Sequence, residues 1–218
     1  SSMTKNFKKR IYTSIILILM LFVILINNFA LGYVLIIAGI FAVLEFFKMN
    51  LIIFKKNKII QITNNIFFTL YLFTLLSSFL YFSSFIHLKI LLFIILLICI
   101  ASDIGGYIFG KIFKGRKLTK ISPNKTISGA IGSLIFSSLF SILIIYYLTG
   151  RIDLLIILVG LVTSISCQIG DLFFSYLKRK SNQKDTGNFL PGHGGILDRI
   201  DGMLLGIPIG FLIFIFIF

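Results

Sequence analysis

The fold of this chain is decided by the apolar run Ile90-Leu-Leu-Phe-Ile-Ile-Leu-Leu-Ile-Cys-Ile-Ala-Ser-Asp103-Ile-Gly-Gly-Tyr-Ile-Phe-Gly110, in which Asp103 is the single charged residue. A helix needs about 20 consecutive, predominantly apolar residues to cross a bilayer. Similar runs recur along the chain, and 58% of its 218 residues are hydrophobic, against about 45–50% in a soluble domain. The sequence therefore predicts an all-α fold, a polytopic transmembrane helical bundle.

The predicted bundle has about seven spans. In chain order they are Ile11–Ile26, Phe29–Phe47, Ile66–Ile86, Ile90–Gly110, Ser128–Leu148, Leu154–Tyr176 and Ile196–Phe218. No long polar stretch is present to build a separate soluble domain, so residues 1–218 are predicted to form one transmembrane domain. Residues 11–88 supply its N-terminal helices, and residues 89–218 supply the helices and loops that carry most of the polar residues.

The basic residues indicate how the bundle is oriented. With the N-terminus in the cytoplasm, 19 of the 21 Lys and Arg residues fall in cytoplasmic segments, and Lys89 and Arg151 alone fall in outer loops. An excess of Lys and Arg in cytoplasmic loops is the usual signal of orientation in membrane proteins. It also accounts for the net charge of +14, so no nucleic-acid partner is predicted.

Four aspartates gather on the cytoplasmic side of the predicted spans. Asp103 lies in the fourth span, Asp171 near the end of the sixth, and Asp198 and Asp201 at the start of the seventh. An Asp at the centre of a membrane helix costs about 2.5–3.5 kcal/mol on the insertion scale, so it usually has a partner or a function. Asp198 and Asp201 are three residues apart and would share one helix face. Carboxylate oxygens suit Mg²⁺, which fills its other positions with water and substrate phosphates.

Basic residues accompany these acids in two segments, the signature run Ser175–Asp201 and the basic loop Lys111–Ile127. Arg and Lys are natural partners of phosphate oxygens, and those of the signature run are Lys178, Arg179, Lys184 and Arg199, with Lys180 beside them. Glycines of the same run would let backbone N–H groups approach a phosphate closely; they are Gly192, Gly194 and Gly195. Together these residues predict a metal-and-phosphate site at the membrane surface.

Three other titratable residues are interpreted less specifically. His193 fits a structural hydrogen bond and a phosphate contact equally well. Glu45, three residues before Lys48, is interpreted as half of a surface ion pair near a helix end, with a role in the site left open. Asp153 beside Arg151 is interpreted as a solvated pair in an outer loop.

The signature run resembles the motif of the phosphatidate cytidylyltransferase family, also called CDP-diacylglycerol synthases. That motif reads S-x-x-K-R-x-x-x-x-K-D-x-G-x-x-x-P-G-H-G-G-x-x-D-R-x-D, and every fixed position is present here. The stretches Asp103-Ile-Gly-Gly-Tyr107 and Ile121-Ser-Pro-Asn-Lys-Thr-Ile-Ser-Gly129 are also similar to the family. Two departures are Ser128, where the family usually has Glu, and Gly202, where it often has Ser.

The resemblance implies an integral-membrane nucleotidyltransferase that makes CDP-diacylglycerol and pyrophosphate from CTP and phosphatidate. It implies Mg²⁺ or Mn²⁺ as cofactor, with K⁺ as a second cation, and a homodimer in a bacterial-type plasma (inner) membrane with its active site facing the cytoplasm. The implied metal ligands are Asp171, Asp198, Asp201 and Asp103. The implied catalytic residues are Asp171, Asp198, Asp201, Lys184 and Asp185. The implied substrate-binding residues are Ser122, Lys125, Thr126, Lys178, Arg179, His193 and Arg199.

Two alternative functions remain open on the residues. A related CTP-dependent lipid enzyme, either a CDP-archaeol-type synthase or a polyprenol kinase, would share the apolar architecture. An ion or metabolite transporter could use the intramembrane acids as a relay. A relay requires charges along a path through the bilayer, whereas here the acids gather at one face.

Overall fold

The computed structural model describes residues 2–187, 189 and 194–217, with the backbone alone for residues 2–11. Within these residues the regular structure is helical, apart from isolated bridge residues that include the antiparallel pair Lys117 and Thr126. The helices are α1 (Ser2–Ile26), α2 (Asn28–Ile53), α3 (Lys58–Phe82), α4 (Ile86–Phe113), α5 (Ile127–Thr149), α6 (Ile156–Lys180), α7 (Leu197–Ile200) and α8 (Met203–Ile217). The prediction of an all-α, polytopic bundle is confirmed.

Among the described residues, six segments are long and apolar enough to cross a membrane: α2, α3, α4, α5, α6 and the stretch Leu197–Ile217. The apolar part of α1, Tyr12–Ile26, is shorter. At 1.5 Å per residue it extends about 22 Å, less than the roughly 30 Å of a hydrocarbon core. The length of the first predicted span therefore does not by itself establish that this helix crosses the membrane.

Short polar side chains determine where several helices begin. Asn27 caps α2 by accepting hydrogen bonds from Phe29 N (2.9 Å) and Ala30 N (3.3 Å), and Asn57 caps α3 by accepting one from Ile60 N (3.2 Å). Asn is among the preferred residues at this position because its side-chain oxygen satisfies an otherwise unpaired N–H group. α3 therefore begins at Lys58, eight residues before the predicted start at Ile66.

The seventh predicted span is interrupted near its start. α7 ends at Ile200, Asp201 and Gly202 form a turn, and α8 begins at Met203. The expectation that Asp198 and Asp201 share one face of a continuous helix is therefore wrong. The turn packs closely within the chain, since a Cβ at Gly202 would lie 3.0 Å from the Cys167 carbonyl oxygen.

The chain divides into two compact units. Unit 1 comprises Ser1–Phe85 and Leu177–Ile200, and unit 2 comprises Ile86–Tyr176 and Asp201–Phe218. Each unit joins segments distant in sequence, and most of the signature run belongs to unit 1. The division of roles between residues 11–88 and 89–218 stays a prediction.

Unit 1 is held together by contacts between α2 and α3. The rings of Phe46 and Phe68 stack with their centroids 4.0 Å apart. Asn50 donates through its side-chain amide to Gln61 O (2.8 Å) and Asn65 Oδ1 (2.6 Å). Polar side chains of this kind join helices in lipid, because the alternative is an unsatisfied polar group in hydrocarbon.

Unit 2 depends on small residues that let helix backbones approach. On the α4–α5 contact, a Cβ at Gly132 would lie 2.8 Å from Gly105 O, and a Cβ at Gly105 would lie 2.6 Å from Gly132 O. Small residues at helix contacts are typical of membrane bundles, where packing has to replace the hydrophobic driving force. A buried cluster of Ile94, Ile98, Ile156 and Val159 fills the adjacent core.

We expect Gly132→Ala to destabilise the protein by about 1–3 kcal/mol, because the added methyl would displace the backbone of α4. The measurement is thermal unfolding in detergent, followed by far-ultraviolet circular dichroism. Gly32→Ala is the matched control, since its Cβ would meet nothing nearer than Leu80 Cδ1 at 3.9 Å. Equal effects of the two substitutions would contradict the packing described for α4 and α5.

Candidate functional site

Three helices of unit 2 meet where α8 packs against α4 and α6. A Cβ at Gly206 would contact Cys167 Sγ and lie 2.9 Å from Cys99 Sγ, and a Cβ at Gly210 would contact Thr163 Oγ1 and lie 2.9 Å from Ile95 Cγ2. Between Gly206 and Gly210, α8 advances by four residues. The residues that it contacts move back by four positions over the same distance, from Cys167 to Thr163 on α6 and from Cys99 to Ile95 on α4. α8 therefore runs antiparallel to both α4 and α6.

This arrangement places three of the predicted acids at one end of the three helices. Asp103 and Asp171 each lie four residues beyond a cysteine of the contact, and Asp201 lies five residues before Gly206. One helical turn is about 5.4 Å, so all three positions are about one turn from the contact and on the same side of it. A backbone contact shows that Asp201 lies beside the residue that precedes Asp171, because a Cβ at Gly170 would lie 2.7 Å from Asp201 O.

The three carboxylates differ in exposure and partners. Asp103 is exposed, Asp171 is half-buried, and Asp201 is 8% exposed with its Oδ1 accepting Gly202 N at 2.8 Å. Asp171 forms an ion pair with Lys125 and accepts a hydrogen bond from Ser175 Oγ at 3.3 Å. All three acids therefore lie on one side of the helix contact, and their roles as metal ligands and catalytic residues stay predictions.

The basic loop brings Lys125 to Asp171 through a short, closed backbone path. Leu118 N donates to Lys125 O (2.8 Å), and Ile127 N donates to Arg116 O (3.0 Å). These bonds close the loop between α4 and α5 around the Lys117–Thr126 bridge. Lys125 is thereby held on defined backbone, so the ion pair is part of the folded unit.

Hydroxyl groups of the basic loop are used to build it. Thr126 caps α5 by accepting Gly129 N at 3.1 Å, and Ser122 shapes the turn before it by accepting Lys125 N through its carbonyl (3.1 Å). Ser128 donates to Lys114 O and lies 3.0 Å from Thr126 Oγ1. Ser128, a departure from the family pattern, therefore joins the start of the loop to the first turn of α5.

In unit 1 the central group is the Asp198 carboxylate. Lys178 Nζ donates to its Oδ1 at 2.8 Å, and their side chains are 13% and 7% exposed. Its Oδ2 accepts two backbone hydrogen bonds, from Thr186 N (2.8 Å) and Gly195 N (3.0 Å), and lies 3.0 Å from Thr186 Oγ1, whose single proton is shared with Glu45. We call residues 181–196, between α6 and α7, the signature loop. Asp198 thus connects the end of α6 and the described residues on both sides of this loop to the start of α7.

Glu45 lies in the same network, and its interpretation as a surface ion pair is wrong. It is 8% exposed, and its carboxylate accepts hydrogen bonds from Thr186 Oγ1, Ile196 N and Leu197 N. The sequence contained one signal for this role, an acid within an otherwise apolar span. Thr186 was missed because it occupies a variable position of the motif.

The other predicted residues of the signature run are mostly accessible. Arg179, Lys184, Asp185 and Arg199 are exposed, and Asp185 lies beside Gly194. Gly194 has φ +84°, and a Cβ there would lie 2.9 Å from Asp198 Oδ2, so both conformation and space require glycine. His193 lies outside the described residues, as does Gly192.

The donor set can be compared with the needs of a divalent cation. The described residues contain no group of three or more His, Cys, Asp or Glu side chains close enough to hold a metal. Mg²⁺ does not require one, because it is commonly held by one or two carboxylates with water and substrate phosphates. Asp171 fits this need, since each of its oxygens accepts one protein donor and a carboxylate oxygen has two lone pairs. Asp198 fits less well, because two backbone N–H groups already donate to its Oδ2 and Lys178 donates to its Oδ1.

Comparison with known proteins gives one family. The model of the cytidylyltransferase family matches residues 53–218. The chain is similar to a phosphatidate cytidylyltransferase of Rickettsia bellii, with 46% identity over 132 residues, or 55% of this chain and 56% of that protein. Its similarity to the protein of the same name from Staphylococcus haemolyticus is 44% over 110 residues, or 50% and 42% of the two chains. For Helicobacter pylori the values are 43% over 113 residues, 51% and 42%. The chain therefore spans about half the length of the curated relatives it matches.

We expect Lys178→Met to lower stability by about 1–3 kcal/mol, because it removes the positive charge and the Oδ1 hydrogen bond that Lys178 gives to a buried carboxylate. Thermal unfolding in detergent measures the effect. The double variant Lys178→Met/Asp198→Asn should recover part of the loss, since the charge to be neutralised is gone. Lys56→Met, at an exposed position of the same unit, is the control and should change stability by less than about 0.5 kcal/mol. A loss no larger than that of the control would show that the ion pair does not stabilise the fold.

Proposed function

This chain belongs to the cytidylyltransferase family, and we propose that it makes CDP-diacylglycerol and pyrophosphate from CTP and phosphatidate. The observation that carries the proposal is the family match over residues 53–218, which includes the complete signature run. The relatives named phosphatidate cytidylyltransferase support the choice of substrates. The resemblance inferred from the signature run is confirmed at the level of the family.

The proposed reaction is a nucleotidyl transfer between two anions. A phosphate oxygen of phosphatidate attacks the α-phosphorus of CTP, the bond from that phosphorus to the bridging oxygen breaks, and pyrophosphate leaves. No covalent bond to the protein is needed. Catalysis of such a transfer depends on positioning the reactants and on stabilising the charge that develops on phosphate oxygens.

The exposed bases of the signature run are suited to this task. Arg179, Lys184 and Arg199 are accessible to a polar substrate, and Arg binds phosphate through two parallel hydrogen bonds where Lys acts as a point charge. Lys125 and Lys178 are already paired with Asp171 and Asp198. We assign these two lysines to substrate phosphates as well, with each aspartate holding its lysine in place before substrate binds.

Mg²⁺ or Mn²⁺ is part of the proposal, with Asp171 as the ligand that fits best and with Asp201, Asp103 and Asp198 as further candidates. When bound, such an ion supplies positive charge that offsets the repulsion between the two substrates. The assignment of K⁺ as a second cation rests on the resemblance alone. The protein side chains contribute orientation and the remaining neutralisation.

The orientation of the protein in the membrane determines from which side each substrate would reach its binding residues. The distribution of Lys and Arg favours a cytoplasmic location for the signature run and the basic loop. CTP would then enter from the cytoplasm, and phosphatidate from the inner leaflet between the helices. A homodimer is proposed from the resemblance.

We expect Asp171→Asn to reduce formation of CDP-diacylglycerol at least 100-fold, because one negative charge is lost beside Lys125 and one metal ligand is weakened. The measurement uses purified protein, phosphatidate and CTP labelled either in the cytosine or at the γ-phosphate. Asp153→Asn is the matched control, since Asp153 only accepts a hydrogen bond from Leu155 N at 2.9 Å and an amide oxygen can replace it.

Label position separates the alternatives in the same assay. Cytosine label retained on the lipid indicates a synthase, and γ-phosphate label on a lipid alcohol indicates a kinase. Near-normal turnover by Asp171→Asn, or a lipid product without cytidine, would count against the proposed function. The outcome for Asp198→Asn tests the prediction that this residue also belongs to the catalytic machinery, and a loss of activity in a folded variant is expected.

A further inference from the structure

The Glu45 carboxylate is the strongest feature that the proposed function does not use. Glu45 lies in α2, within a candidate membrane span, and is 8% exposed. It also lies before residue 53, where the family match begins. A buried acid in an apolar span is costly, so it is normally retained for a specific partner.

Among the described residues, the hydrogen-bond partners of Glu45 come from the signature run. Its Oε1 accepts Ile196 N at 3.0 Å, and its Oε2 accepts Leu197 N and Thr186 Oγ1, both at 2.8 Å. The two backbone N–H groups belong to the end of the loop and the first residue of α7. One carboxylate therefore fastens both sides of the loop at a single point.

Two fixed glycines of the motif make room for this carboxylate. A Cβ at Gly187 would lie 2.5 Å from Glu45 Oε1 and 3.0 Å from its Cδ, and a Cβ at Gly195 would lie 2.5 Å from Oε1. A side chain at either position would push the carboxylate away. The space that the Glu45 carboxylate needs therefore explains why both positions are glycine, in addition to any close approach of a substrate phosphate.

The same backbone segments that Glu45 holds also hold Asp198. Thr186 Oγ1 lies 2.8 Å from Glu45 Oε2 and 3.0 Å from Asp198 Oδ2, and Thr186 N and Gly195 N both donate to Asp198. Asp198 in turn binds Lys178. Movement of the Glu45 carboxylate would therefore move the donors that orient Asp198 and its lysine.

We propose that Glu45 is a positioning residue for the reaction proposed above: from outside the family-matched region, it fixes the signature loop so that Asp198 and Lys178 stand in a defined geometry. The proposal rests on the proposed function for its catalytic consequence. Glu45 itself is assigned no contact with substrate or metal.

Glutamate is required at this position because the three donors need acceptors. A carboxylate offers acceptor sites on both oxygens, whereas the amide of Gln replaces one oxygen with an NH₂ donor. In Glu45→Gln, one backbone N–H of residues 196 and 197 then faces a donor, whichever way the amide is turned. Asp would carry both oxygens but is one methylene shorter.

The test compares Glu45→Gln with wild type in purified full-length protein. We expect kcat to fall about 10–100-fold at saturating CTP and phosphatidate, the usual effect of removing a group that orients a functional ligand. Hydrogen exchange of the peptide covering residues 194–200 is measured in parallel. One amide of residues 196 and 197 should exchange about tenfold faster, because it has lost its acceptor.

Asn50→Ala is the matched control for general destabilisation. Asn50 is a buried polar residue of the same helix, but it bonds Gln61 and Asn65 of α3 and not the signature run. It should lower the melting temperature while leaving kcat per folded protein and exchange at residues 196 and 197 near wild type. If Glu45→Gln does not fold, Thr186→Val removes one of the three donors and is expected to lower kcat at unchanged fold.

The outcomes separate this inference from the proposed function. Wild-type kcat and wild-type exchange in Glu45→Gln would overturn the positioning role, as would equal kcat losses in Glu45→Gln and Asn50→Ala. Absence of CDP-diacylglycerol with wild-type protein would overturn the proposed function instead. The exchange measurement would still decide whether Glu45 holds the loop, since it does not depend on turnover.

Discussion

Buried backbone N–H groups need acceptors within the protein, and the signature loop meets this constraint through two carboxylates. Glu45 and Asp198 together accept from the N–H groups of Thr186, Gly195, Ile196 and Leu197 and from the Thr186 hydroxyl. Lipid provides no such acceptors. The charged residues of the motif therefore stabilise the loop itself, in addition to any contact with substrate.

In unit 2 the corresponding constraint is steric. Gly206 and Gly210 of α8 leave no room for a Cβ against α4 and α6, so the three helices pack with their backbones close. This close packing places Asp103, Asp171 and Asp201 within about one turn of the same contact. Small residues thus have a chemical consequence, because they determine how near the acids of separate helices can be to one another.

The bases assigned to substrate phosphates differ in their exposure to solvent. Lys125 and Lys178 are paired with carboxylates, whereas Arg179, Lys184 and Arg199 are exposed. Pairing orders a lysine before substrate arrives and reduces the entropy lost on binding. An incoming phosphate can reach the exposed side chains from the solvent.

The sequence by itself determined the helical membrane architecture and the family, because apolar run length and a dense motif are properties of neighbouring residues. It did not determine the partners of Glu45, the convergence of donors on Asp198 or the break at Asp201 and Gly202. Glu45 bonds Thr186 and Leu197 across 141 and 152 residues of chain. Local periodicity carries no information about such distant pairs, and only the tertiary structure decided them.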